Sequence, residues 1–192
     1  MYTRQKELIK IIIEQIKFCM GNMRLWSTSG DFHLLRLEYS HFESLLDVLQ
    51  SKIDIKSYLE KFHSIFQLDV WNEHLTVYTP QLFILKRIPD KNAIINLDSK
   101  LLCFVKVLEI CKENLKKHID NEDYTLIEDE YYYNHNVPSL IILDHEKLNN
   151  DAIKYYLTVE CKGCRSFSNN GMASSYEDVW KEISEQYSID FK

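Results

Sequence analysis

Glycine and proline are scarce in this chain, which has only four glycines and three prolines among its 192 residues. Their scarcity leaves little room for flexible linkers and favours long regular elements. Long apolar runs are also lacking, because the apolar residues 11–13 are soon followed by Glu14 and Lys17, so we expect no signal peptide and no membrane span. A chain of this length can bury a proper core as one large domain or two closely packed small ones.

Cysteine is odd in number and scattered, which predicts a reducing, cytoplasmic compartment. Cys161 and Cys164 form a Cys-x-x-Cys pair, but the chain has no second pair to complete a zinc site. It also lacks a phosphate-cradling glycine loop and a G-x-S-x-G elbow, the usual signs of nucleotide hydrolysis and serine esterase chemistry. We therefore expect no cofactor and no bound metal.

Lysine and arginine are absent between Lys117 and Lys147, a stretch that carries eight acidic residues. Because the net charge of the whole chain is −6, the rest of the chain is slightly basic and the acidity is local. An acidic pI of about 5.6 argues against binding of nucleic acid, which needs a clustered positive surface.

Helical periodicity dominates the first half of the chain. The pattern predicts a helix over residues 3–20 that stops at Gly21, a short strand at 35–39, and a helix that begins with a capping box at Ser40. Asp54 and Asp98 are predicted to cap two further helices.

Strand-like patterns dominate the second half, at residues 124–133, 139–143 and 153–161, before a last helix that begins at Ser174. The predicted fold is therefore α+β, with a helix-rich N-terminal half (1–97) packed on a small α/β half (98–192) that contains a helix, a three-stranded sheet and a helix.

The acidic stretch is also rich in tyrosine, and as a strand it would present Asp129 on one face and Glu128 on the other. Carboxylates accept bidentate hydrogen bonds from arginine, while aromatic rings attract cations. The alternative is a solvated segment whose charges serve only solubility. The residues predicted to bind a basic protein are Asp120, Glu122, Asp123, Glu128, Asp129, Glu130, Tyr131, Tyr132 and Tyr133.

A second pattern consists of Asp144 followed by Glu160 and Lys162 at the end of an apolar run. It resembles the core of the PD-(D/E)xK nucleases over roughly residues 98–192. The resemblance implies that the two acids bind a divalent metal and that the lysine helps to activate water for phosphodiester hydrolysis. The acidic surroundings would repel a phosphate backbone, which argues against this alternative.

The sequence thus favours a non-enzymatic, cytoplasmic inhibitor that neutralises a basic protein, most concretely an immunity protein against a bacterial toxin of the nuclease type. Such toxins must be positively charged to hold their substrate, and an acidic inhibitor covers that charge. The alternative function is a metal-dependent nuclease that uses Asp144, Glu160 and Lys162.

Overall fold

The computed structural model describes residues 3–62 and 88–134, together with Pro138. The helices in these ranges are α1 (Thr3–Ser29), α2 (Phe32–Leu49), α3 (Ile55–Phe62), α4 (Ser99–Asp120) and α5 (Tyr124–Asn134). No β-strand occurs within the described ranges. The α+β prediction is therefore wrong for this part of the chain, and residues 124–133 are helical. The strands predicted at 139–143 and 153–161, and the helix predicted from Ser174, lie outside the described residues.

Helix α1 is longer than predicted because it continues through Gly21 for two more turns. Its buried stripe includes Ile12, Ile16 and Met23, so apolar contacts extend on both sides of the glycine. Gly30 ends the helix with a φ of +77°, a left-handed conformation that glycine adopts without steric cost.

Helix α2 replaces the strand predicted at residues 35–39 and begins before the predicted capping box at Ser40. Asp31 caps the helix, since its side chain accepts a hydrogen bond from the backbone N–H of Leu34 at 3.0 Å. The apparent alternation at 35–39 is part of a helical stripe in which Leu35, Phe42 and Leu46 are fully buried.

The helix caps predicted at Asp54 and Asp98 are both confirmed. A side-chain oxygen of Asp54 accepts a hydrogen bond from the N–H of Ser57 at 2.7 Å, and one of Asp98 accepts from the N–H of Leu101 at 2.8 Å. These bonds satisfy backbone donors that the first turn of a helix leaves open.

The helices pack α1 against α2 and α5, and α4 against α2 and α5, while α3 packs on α2. Phe42 of α2 and Phe104 of α4 are among the largest fully buried side chains of the shared core. The connection before α4 is held by Ser51, whose hydroxyl lies 2.9 Å from both the backbone nitrogen and the carbonyl oxygen of Ile95. Within the described residues, no helix is both long and apolar enough to cross a bilayer. The predicted boundary between residues 97 and 98 stays a prediction.

Candidate partner-binding surface

The acidic stretch begins at a tight turn between α4 and α5. Glu122 adopts a φ of +52°, and its N–H bonds to the carbonyl of Ile119 at 3.1 Å. Asp123 then caps α5, because its carboxylate accepts a hydrogen bond from the N–H of Leu126 at 3.1 Å. The turn thus sets the direction of α5 and leaves Asp120 and Glu122 exposed.

Helical periodicity, and not strand alternation, decides which residues of α5 face outward. Ile127 and Glu130, three residues apart, are buried, whereas Glu128 and Asp129 are exposed. The strand faces expected from the sequence are therefore wrong: Asp129 and Glu128 were expected on opposite faces, but the helix exposes both.

Glu130 points into the protein with only 2% of its surface exposed. A carboxylate oxygen lies 3.8 Å from Nε2 of His118 on α4, which is also buried. This contact joins α4 to α5, so we leave Glu130 out of the surface that a partner could reach.

Two large apolar side chains stand among the exposed carboxylates. Tyr124 is 40% exposed and Leu126 is 41% exposed. Tyr124 is steadied by the ring of Phe32, at 4.6 Å between centroids. We use the name α5 surface for this region, which consists of Asp120, Glu122, Asp123, Tyr124, Leu126, Glu128 and Asp129.

Two arginines from the other helices border this surface and compensate part of its charge. A guanidinium nitrogen of Arg24, on α1, lies 3.6 Å from a carboxylate oxygen of Glu128. The same guanidinium lies over the ring of Tyr131, 5.1 Å from its centroid. Arg36, on α2, pairs with Glu122 at 3.3 Å and lies 5.5 Å from the ring centroid of Phe32.

The other residues predicted to form a site are Tyr132, Tyr133, Asp144, Glu160 and Lys162. Tyr132 and Tyr133 belong to α5. Asp144, Glu160 and Lys162 lie outside the described residues, so the nuclease alternative stays a prediction from the sequence.

A buried polar cluster lies between α1 and α2, where the sequence predicted no site. Glu38 of α2 is fully buried, and one of its oxygens accepts a hydrogen bond from the side-chain amide of Asn22 at 3.3 Å. The Cys19 thiol also hydrogen-bonds to this carboxyl group. Its second oxygen, Oε2, has no hydrogen-bond partner among the described residues. Burial raises the pKa of Glu38 to about 8, although the bonds from Cys19 and Asn22 lower it.

The cluster continues toward α3 through a histidine and a tyrosine. Nδ1 of His41 lies 2.8 Å from the hydroxyl of Tyr58, and both residues are buried. Burial, helped by the charge of Lys61, lowers the pKa of His41 to about 3, so its imidazole is neutral at pH 7. Burial likewise raises the pKa of Tyr58, with the Cys19 and Glu38 charges adding to the effect.

The titratable groups of this cluster are mostly uncharged at neutral pH, so none of them is an activated nucleophile. Burial raises the pKa of the Cys19 thiol, which keeps it in the unreactive protonated form. Within residues 3–62 and 88–134, no set of three or more His, Cys, Asp or Glu side chains is placed to hold a metal ion. Recognition of Asp31 as the cap of a helix that begins at Phe32 would have revealed Glu38 from the sequence, since Glu38 falls on the face of Leu35 and Phe42.

Comparison of the chain with models of protein families, with curated proteins and with solved structures finds no match.

Proposed function

We propose that the protein is a non-enzymatic inhibitor that binds a basic protein through the α5 surface. The observation that supports this proposal is the placement of Tyr124 and Leu126 among exposed carboxylates on one short helix. Aromatic and aliphatic side chains supply the area that anchors an interface, and the surrounding charges orient and attract a complementary partner.

The chemistry of the surface narrows the kind of partner. Asp120 and Asp129 are exposed and carry negative charge, whereas Arg24 and Arg36 compensate Glu128 and Glu122 only in part. A partner therefore needs lysine or arginine side chains together with apolar groups that can contact Tyr124 or Leu126. An enzyme that holds a polyanionic substrate presents such a surface.

The most concrete form of this proposal is an immunity protein against a bacterial toxin of the nuclease type. Covering the basic substrate-binding surface of such a toxin would block access of nucleic acid. The reduced cytoplasm is the proposed compartment, in keeping with Cys19 and Cys111, which are buried and not joined in disulfides.

The test is a pull-down from the native host with the purified protein as bait, washed first at low salt and then at ~1 M salt, where the Debye length is about 3 Å. We expect a basic product of a neighbouring gene to be retained at low salt and released at high salt. Asp129→Lys should reduce its capture by about tenfold or more, because a like charge at the rim repels a basic partner.

The matched control is Glu60→Lys, which makes the same change of charge at an exposed position on α3. It should leave capture unchanged. Equal capture by the Asp129→Lys variant, or capture that ~1 M salt does not weaken, would reject the α5 surface as the binding site. A captured toxin should also lose activity when the wild-type protein is added.

A further inference from the structure

Two arginine-binding positions are already formed beside the α5 surface, and each is occupied by an arginine of the protein itself. In the first, Glu128 and Tyr131 of α5 hold Arg24. In the second, Glu122 and Phe32 hold Arg36. Each position combines one carboxylate with one aromatic ring, which is the pair of groups that best recognises a guanidinium.

The spacing of the two positions follows from the helix that carries them. Tyr124 and Tyr131 are seven residues apart on α5, which corresponds to two turns, or roughly 10 Å along the axis. Tyr131 lies against Arg24. Tyr124 contacts Phe32, and Phe32 in turn lies against the guanidinium of Arg36. The two guanidinium positions therefore border the same side of α5.

Neither resident arginine is held tightly. The side chains of Arg24 and Arg36 remain about half exposed, at 52% and 51%. Their distances to the carboxylates, 3.6 and 3.3 Å, exceed the roughly 2.7–2.9 Å of a strong charge-assisted hydrogen bond. Exposed ion pairs of this kind contribute little to stability and can be exchanged at little cost.

We infer that the partner inserts arginine side chains at the Glu128–Tyr131 and Glu122–Phe32 positions, and that Arg24 and Arg36 act as built-in competitors that weaken its binding. This inference rests on the proposed function, because it names the side chains that the α5 surface recognises and a contact that restrains it. Recognition of arginine would account for the aromatic rings beside the carboxylates, because a guanidinium stacks on a ring as well as pairing with a carboxylate. Attraction of lysine would require only the negative charges.

The experiment compares two peptides of equal length and charge, one with arginine and the other with lysine at every cationic position. Their affinities are measured for the wild type and for Arg24→Gln, which removes the competitor. We expect Arg24→Gln to bind the arginine peptide about three- to tenfold more tightly than the wild type does. The gain in affinity for the lysine peptide should be clearly smaller.

The matched control is Lys17→Gln. Lys17 is exposed on α1 seven residues before Arg24, so the substitution removes the same charge from the same side of the same helix about 10 Å away. It should improve the binding of both peptides by about twofold at most. Adding Tyr131→Leu to Arg24→Gln should reduce the preference for arginine, because the ring of the Glu128–Tyr131 position is then missing while that of Phe32 remains.

The outcomes separate the two proposals. Equal gains from Arg24→Gln and Lys17→Gln, or equal gains for both peptides, would overturn the arginine inference while leaving a general acidic binding surface. If neither peptide binds the wild type or Arg24→Gln at low salt, the arginine inference fails, while the proposed function is decided by the pull-down with Asp129→Lys.

Discussion

Glu38 is unusual because it is an acidic side chain at a fully buried position. It is an acid in the interface between α1 and α2, with Oε2 unbonded among the described residues. Its pKa of about 8 means that it is largely protonated at pH 7, so the interface contains a neutral carboxylic acid. Ionisation would place an uncompensated charge among apolar side chains.

The pH dependence of stability follows from this raised pKa. Between the ordinary value of 4.5 and about 8, the folded protein binds more protons at Glu38 than the unfolded chain does. By linkage, the contribution of Glu38 to the free energy of unfolding falls as pH rises through that window. His41 acts in the opposite sense between pH 3 and 6.5, because its pKa is lowered on folding. Above pH 6.5 only the effect of Glu38 remains of the two.

Glu38→Gln should therefore remove a loss of stability that the wild type shows between pH 6.5 and 8.5. We expect the free energy of unfolding of the wild type to fall by on the order of 2 kcal/mol over this range, and that of the variant to stay nearly constant. Urea unfolding at a series of pH values measures both. Glu113→Gln, at an exposed position on α4, should keep the slope of the wild type. A wild-type curve without this fall would show that Glu38 is ionised in the folded protein.

At the scale of the element, α1 shows that packing overrides a local helix breaker. Gly21 lies in the interior of the helix, and a Cβ added there would meet nothing within 4 Å. Gly30, at the end of the same helix, has a φ of +77°, where a side chain is strained whatever the space around it. The same substitution should thus have opposite effects at the two positions.

Gly21→Ala should stabilise the protein by about 0.5–1 kcal/mol, because alanine loses less backbone entropy in a helix and fits without a clash. Gly30→Ala should destabilise it by about 1–2 kcal/mol, since a Cβ disfavours the left-handed conformation. Chemical denaturation of the two variants beside the wild type measures the difference. Destabilisation by Gly21→Ala would indicate that α1 is not continuous through residue 21.

What could be predicted from the sequence was the local part of each element. Asp54 and Asp98 cap their helices through hydrogen bonds to residues three positions away, so the short motif contained the whole interaction. The strand assignment of α5 failed because the buried face of this helix includes Glu130, whose charge suggested an exposed position. Its partner His118 lies on another helix, and no local pattern reveals such a contact.

The same reason explains why the buried cluster and the arginine positions were not predicted. Glu38 depends on Cys19 and Asn22 of α1, and Glu128 on Arg24 of the same helix. These pairs join residues that are distant in sequence, and they become neighbours only when α1 packs on α2 and α5. The acidic composition of the surface was visible in the sequence, whereas its partial compensation by α1 and α2 was not.

At the scale of the whole molecule, the distribution of charge bears on how fast a partner arrives. The chain has a net charge of −6, and the stretch between Lys117 and Lys147 carries more negative charge than that total. Charge concentrated in one region attracts a basic protein toward that region and raises the association rate at low salt. Apolar contacts act at short range and govern how long the complex lasts.

Two nearby residues of α5 should separate these contributions in a complex with the proposed basic partner. Asp129→Asn should lower the association rate constant by about two- to fivefold at low salt, with the difference disappearing at ~1 M salt, because it removes a charge at the rim. Leu126→Ala should instead raise the dissociation rate constant by about three- to tenfold at every salt concentration, because it removes apolar contact area. Surface plasmon resonance at several salt concentrations resolves both constants. If Asp129→Asn changed only the dissociation rate and did so independently of salt, the surface would act through contact alone, and the concentration of acidic residues at α5 would have no part in guiding the partner.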